Sequence, residues 1–357
     1  MIKVNKHIQI VRSAHSWLTS MSQESSDAIL SVLSKHYVKV GVSIVNDLAD
    51  LETLVTIKPD IVVLGMKFVP MNNALGQNDP NKIWVSEYLD EHGISYTGSS
   101  QMAHELEKNK PLAKQTVLDA GLKTSPFYVV KQGQGSELND MHLKFPVFIK
   151  PANRGGGLGI DSGSLAQNLK QLRQKVQSIA TNLQSDSLIE EYLPGREFSV
   201  AILKNLQSLE LFVMPIELIA PPDKYGICVL TGEVKSANSE CAIVVNDEPV
   251  KSKVITLATN AFNALGARDY GRIDIRLDAK GIPHFLEANL IPSLISGYGS
   301  FPKACLINNG LEYESMILNI VELAFARDYN VSNLAPDIIT ETAYTLPAFE
   351  AALEPLT

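Results

Sequence analysis

Residues 270–292, YGRIDIRLDAKGIPHFLEANLIP, consist of two runs of alternating polar and apolar residues flanking Asp278-Ala279-Lys280-Gly281. Such a pattern predicts two antiparallel strands joined by a short turn with Ala279 and Lys280 at its tip. In that register Arg272 is expected opposite Glu287 and Asp274 opposite Phe285, with Asn289 continuing the line. Successive strand side chains point to opposite faces. Arg272, Asp274, Glu287 and Asn289 therefore share one face, and Ile273, Ile275, Leu286 and Ala288 take the other. Three oxygen donors suit a hard cation held together with a phosphate, and a guanidinium beside them suits a developing oxyanion. The alternative for this segment alone is a solvated strand face with an Arg272–Glu287 ion pair, and a slip of one residue would scatter the group.

The first hundred residues alternate apolar strands, at Ile8 to Val11, Val38 to Ile44 and Asp60 to Leu64, with helical stretches at Ser25 to Lys35 and Ile83 to His92. That alternation predicts an α/β unit built on a parallel sheet covered on both faces. GISYTGSS, 93–100, closes the unit, and the pattern from Met102 to Gly121 predicts one helix with Gly121 as its stop. A strand at LKTSPFYVV, a helix over Leu165 to Ala180, and a helix over Glu314 to Arg327 follow. The expected units are 1–101, 102–186 and 187–330, with 331–357 as an undefined tail.

The chain is long enough for several packed cores, with 357 residues of which 45% are hydrophobic. Its 31 basic against 39 acidic residues give a net charge of −8, which argues against a nucleic acid or an anionic membrane as main partner. The start, MIKVNKHIQIV, does not read as a secretion signal, so a cytoplasmic protein is expected. Cys228, Cys241 and Cys305 show no paired spacing and read as reduced thiols.

Two further segments bear on chemistry. FPVFIKPANRGGGLGI, 145–160, is a short apolar strand ending in Lys150, followed by Gly155, Gly156, Gly157 and Gly159. A loop of this kind lets backbone N–H groups close on phosphate oxygens while the ammonium neutralises charge; a flexible turn with a surface lysine is the alternative. LIEEYLPGREFSV, 188–200, places Glu190, Glu191, Tyr192 and Leu193 before a Pro194-Gly195 turn, with Glu197 just beyond. A connector of that type can present backbone groups to a flat heterocycle and a carboxylate to sugar hydroxyls, although an acidic hinge has the same appearance.

Taken in this order, the segments resemble an ATP-grasp ligase, closest to the D-alanine:D-alanine ligase branch. GISYTGSS and EKNKPLAKQTVLDAGLKT add to the likeness, which covers about residues 93–330. The resemblance implies a three-subdomain α/β fold in which two subdomains clamp ATP. It implies that Lys110 and Lys150 hold phosphates under the 155–159 loop, that Glu190 to Leu193 and Phe285 line the nucleotide, with the Glu191 and Leu193 backbones on the adenine edge, and that Glu197 holds the ribose. TGEVKSA, 231–237, resembles the mobile loop whose lysine, Lys235, reaches the γ-phosphate. Asp274, Glu287 and Asn289 would bind two Mg²⁺ ions, with Mn²⁺ as a substitute, and Arg272 would steady a tetrahedral adduct. A carboxylate acid and an amine are the implied small-molecule substrates, joined through an acyl phosphate, and a homodimer is compatible with the likeness.

Three departures concern the substrates. Gly156 and Gly157 stand where the family carries a serine pair, and Ser236 stands where a tyrosine usually follows the loop lysine. The family's N-terminal glutamate has no partner in register in SWLTSMSQESSDAIL, although Glu24, His15 and Arg12 lie nearby. The expectation is therefore a ligase joining other amino acids, or a metabolite acid to an amine, rather than a D-alanine pair. D-alanyl-D-alanine synthesis proper, a phosphotransferase, and a silent nucleotide-binding protein are the alternatives.

Overall fold

The computed structural model describes residues 2–134, 138, 141–222, 230, 234 and 239–332, and the side chains of these up to residue 327. Lys235, Ser236 and Cys228 lie outside the described residues, as does the tail beyond residue 332.

The first unit is the expected parallel sheet. Strands β1 (Val4–Arg12), β2 (Tyr37–Ile44), β3 (Ile61–Leu64) and β6 (Ser95–Tyr96) run in the order β2-β1-β3-β6. On β3, Ile61 and Val63 pack to one side with Ile29 and Leu33 of α1 (Gln23–His36). Val62 and Leu64 pack to the other, with Leu51 and Leu54 of α2 (Leu48–Thr56) and Leu89 of α3 (Val85–Glu91). Burial of both faces is what a parallel sheet requires. The predicted helix from Ile83 begins instead as a strand, because β4 (Phe68–Pro70) and β5 (Lys82–Trp84) pair as a ribbon ahead of α3.

The expected single helix over Met102 to Gly121 is two. α4 (Gln101–Lys108) ends at Asn109, whose side chain accepts the N–H of Leu112 and caps α5 (Lys110–Asp119). Pro111 explains the break, since proline fits the first turn of a helix but in a continuous one could not donate to the Glu107 carbonyl and would clash with it. Gly121, at φ +74°, is the predicted stop.

The middle sheet is antiparallel, in the order β7-β10-β8-β9, with β7 (Phe127–Val130), β8 (Val147–Pro151), β9 (Leu165–Ala166) and β10 (Ser187–Glu191). One face packs on α6 (Leu169–Leu183), which starts later than predicted because Leu165–Ala166 pairs with β8 and Asn168 supplies the cap. The other face carries Phe148, Lys150, Leu188 and Glu190. β10 is a central strand here, so the middle unit extends past the expected boundary at residue 186.

The third sheet, β13-β12-β11-β14-β15, is also antiparallel: β11 (Glu197–Lys204), β12 (Leu211–Ile219), β13 (Cys241–Val244), β14 (Tyr270–Leu277) and β15 (Pro283–Asn289). Ile273 and Ile275 join a core with Val117 of α5 and with α7 (Glu248–Ala264). Ala201 and Leu203, at the far end of β11, join α8 (Ser300–Asn309) and α9 (Tyr313–Ser332) in the core that also covers the first sheet. α9 thus returns to close the first unit. Among the described residues, no helix is long and apolar enough to cross a membrane.

Candidate active site

The polar face of β14 and β15 opens into a cleft of about 540 Å³ that also borders the first unit and the glycine loop. A narrower recess of about 80 Å³ continues from it between the middle and third sheets. The hairpin register differs from the sequence expectation. Arg272 pairs with Asn289, Asp274 with Glu287 and Ile275 with Phe285, with an irregularity between Asp274 and Ile275. On the side of that irregularity away from the turn the shift is two residues, so the four polar side chains keep their common face. On the turn side the shift is one residue, and faces exchange. Phe285, expected to line the nucleotide, is fully buried in the core, and Leu286 lines the recess in its place.

Asp274 accepts four side-chain hydrogen bonds. Arg272 donates Nε to its Oδ1 at 2.9 Å and Nη2 to its Oδ2 at 2.8 Å. Ser199 Oγ donates to Oδ1 at 3.0 Å, and Asn289 Nδ2 to Oδ2 at 3.1 Å. Burial opposes the charge on Arg272, but Asp274 outweighs it and holds the guanidinium above its ordinary range. Glu287 faces two ammonium groups, Lys110 Nζ at 3.7 Å and Lys150 Nζ at 3.9 Å.

Lys150 and Lys110 are both buried and behave differently. Burial alone would depress Lys150, yet Glu190 at 2.9 Å and Glu287 keep its ammonium above the usual lysine value. Lys110 is depressed by burial, with Glu287 offsetting part of that effect and Lys150 adding to it. Its Nζ also donates to the Arg154 carbonyl at the start of the glycine loop. Lys114, one turn further along α5, approaches Glu190 Oε1 at 2.5 Å, and burial pushes it down to about 8. Burial would raise Glu190, but Lys114 and Lys150 hold it below the ordinary carboxylate range.

Gly155 and Gly156 line the cleft. Gly156, Gly157 and Gly159 have φ of +64°, +77° and +78°, and a side chain at Gly159 would come within 2.6 Å of Leu183. Gly159 is thus required by close packing as well as by backbone conformation. In the recess, Arg276 donates to Glu197 Oε2 at 2.8 Å and to the Tyr192 hydroxyl at 3.0 Å, fixing both. Leu193 lines the same recess. The Glu191 backbone is less available than expected. Its N–H donates to Pro126 O at 2.9 Å, and its carbonyl already accepts from Ser125 Oγ.

Lys114 and Arg276 escaped the sequence reading. A lysine four residues after Lys110 on one helix, and an arginine two residues after Asp274 on one strand, were the available signals. Neither Glu24, exposed on α1, nor His15 or Arg12 lines the cleft; Ser16 to Ser20 do.

Whether Mg²⁺ suits the site is a matter of donors. Asp274, Glu287 and the amide oxygen of Asn289 are all hard oxygen donors at adjacent register positions, and among the described residues no cysteine, methionine or histidine lines the cleft with them. Among the described residues no group of three or more His, Cys, Asp or Glu surrounds one point. Two carboxylates and an amide leave positions for phosphate oxygens and water, so the residues fit a metal–nucleotide complex.

A middle sheet and a third sheet facing each other, with lysines, a glycine loop and an oxygen-donor set between them, define an ATP-grasp ligase, an ADP-forming enzyme. The family model described as "D-ala D-ala ligase C-terminus" matches residues 117–322, and the chain belongs to that family. Uncharacterized protein y4sG of Sinorhizobium fredii is 33% identical over 247 residues, 68% of this chain and 70% of that protein. The D-alanine--D-alanine ligase of Hydrogenovibrio crunogenus is 28% identical over 243 residues, 67% of this chain and 72% of the relative. Among solved structures, the D-alanine--D-alanine ligase of Bacillus anthracis complexed with ATP superposes with a TM-score of 0.69 at 18% identity, covering 92% of this chain and 99% of that one.

Proposed function

We propose that the protein joins a carboxylic acid to an amine, at least one of them an amino acid, through an acyl phosphate at the expense of ATP. The observation that carries this reading is the convergence of Lys110 and Lys150 on Glu287, which stands opposite Asp274 and beside Arg272. Lys110, Lys150 and the 155–159 loop bind the phosphates, the recess at Tyr192, Leu193 and Leu286 takes the base, and Glu197 takes the ribose. Lys235 is proposed for the γ-phosphate.

In this reading a carboxylate oxygen attacks the γ-phosphorus, and ADP leaves. The amine nitrogen then attacks the acyl carbon, the tetrahedral adduct expels inorganic phosphate, and the nitrogen loses a proton. Lys110 and Lys150 neutralise charge in the first step, and Arg272 neutralises the oxyanion in the second. Asp274, Glu287 and Asn289 would hold Mg²⁺. Bound there, it would supply charge neutralisation at the phosphoryl oxygens. The glycine loop limits water access to the acyl phosphate.

The test is phosphate release from Mg-ATP with paired D- and L-amino acids and other acids and amines, followed by mass analysis of the product. Turnover that depends on both an acid and an amine is expected. ATP binding with no acid- and amine-dependent phosphate release would overturn ligation. The relatives' names favour D-alanyl-D-alanine as product, whereas Gly156, Gly157 and Ser236 favour another pair. A dominant D-alanyl-D-alanine peak would decide for the former.

A further inference from the structure

The cleft has a second polar wall that the chemistry above does not use. His104 and Glu107 stand one turn apart on α4, and both are buried. Lys67, just before β4, donates Nζ to Glu107 Oε1 at 2.6 Å, and His104 Nδ1 lies 3.3 Å from Glu107 Oε2. Lys67 and Glu107 line the same cleft as Arg272 and Glu287. Lys110 lines it too, so this wall and the reacting centre share one cleft.

Apolar residues could fill the same space. An ion pair removed from water is seldom more stable than apolar residues of the same size. His104 Nε2 is buried with no hydrogen-bond partner, which is a further cost. A carboxylate held from both sides by costly polar neighbours, on a rigid helix at the edge of a cleft, is arranged as a preorganised ligand group is.

Charge selects the ligand. An ionised carboxylate offers roughly four lone-pair sites, of which Lys67 and His104 use two. Lys67, Lys108 and Lys110 make the surroundings positive, and burial together with neighbouring cations pushes Lys108 down to about 7. A simple amine would be repelled by those cations, and a simple acid by Glu107. A molecule carrying both charges a few bonds apart satisfies both. The geometry points to Glu107, held by His104 and Lys67, as the group that takes the ammonium of an α-amino acid substrate while Lys67 takes its carboxylate. This deepens the ligase reading and rests on an amino acid being one of the joined molecules. Glu240 lines the same cleft with a buried, unpartnered Oε2 and is the competing carboxylate.

The experiment is a thermal-shift titration of the full chain, with Mg²⁺ and a non-hydrolysable ATP analogue, against a panel of D- and L-α-amino acids. Propionate and ethylamine serve as analogues of alanine lacking one charge. At least one amino acid should stabilise the wild type where neither single-charge analogue does. Glu107→Gln should weaken that amino acid at least tenfold while keeping the nucleotide shift, and Glu107→Asp should fall between. If Glu107→Gln fails to fold, the double variant Lys67→Gln/Glu107→Gln, which leaves no unpaired charge, replaces it with the same expected loss. The inference is overturned if no amino acid in the panel binds, if the Glu107 variants bind it as the wild type does, or if Glu240→Gln and not Glu107→Gln removes binding. Amino-acid binding through Glu107 without phosphate release from any acid and amine would sink the ligation reading and leave this one standing.

Discussion

Arg272 and Asp274, two residues apart on one strand, form a two-pronged ion pair, Nε to Oδ1 at 2.9 Å and Nη2 to Oδ2 at 2.8 Å. Side chains at this spacing point the same way, so the strand itself imposes the pair. The guanidinium is thereby preorganised beside Glu287 and Asn289. Arg272→Lys keeps a charge but loses the planar fork. It is expected to lower kcat by about 10²–10³-fold, as loss of one oxyanion donor does, with the KM for ATP changed little. Steady-state kinetics with both substrates saturating would check this, and an unchanged kcat would remove Arg272 from the oxyanion role.

Lys150 is the better phosphate candidate of the two converging lysines, because Glu190 and Glu287 keep it charged in a buried setting. Lys150→Met should weaken ATP by about tenfold to 100-fold, the loss of one charge-assisted contact at roughly 1.5–3 kcal/mol. Calorimetric titration with Mg-ATP measures it. Affinity equal to wild type would make Lys150 a structural partner of Glu190 only.

For the cation site, Asp274→Asn and Glu287→Gln remove charge with little change of volume. Both variants should fold and bind nucleotide in EDTA much as wild type does, yet lose the additional affinity that Mg²⁺ confers. Comparing nucleotide affinity with and without Mg²⁺ reads this without relying on turnover. A full Mg²⁺ increment in both variants would remove the proposed ligands.

Glu107 gives a pH prediction. Burial raises its pKa, but Lys67 and His104 prevail and hold it at about 2 against 4.5 for a free glutamate. A depressed carboxylate stabilises the fold fully above the unfolded value and loses that contribution as pH falls toward the folded one. The contribution is on the order of 3 kcal/mol, and it should disappear between pH 4.5 and about 2. The stability gap between wild type and Glu107→Gln, from urea unfolding at a series of pH values, should narrow through that window. A gap independent of pH would show that the variant's deficit has another origin.

What the sequence determined by itself was local. Alternation along 270–277 places Arg272 and Asp274 on one face and Ile273 and Ile275 on the other whatever the partner strand does, because the side-chain period is two. Strand and helix alternation before residue 100 required a parallel sheet buried on both faces, and the glycines after Lys150 required a loop. The register of β15 was decided only by the tertiary structure. The irregularity beside Asp274 advances the partner strand, sends Phe285 into the core and brings Leu286 to the recess. Contacts between distant segments were equally out of reach. Lys114 meets Glu190, and Lys67 meets Glu107, only because α4 and α5 pack at the junction of the sheets. Periodicity fixes which way a side chain points, whereas its partner depends on how whole elements bury their apolar faces together, and no local pattern encodes that.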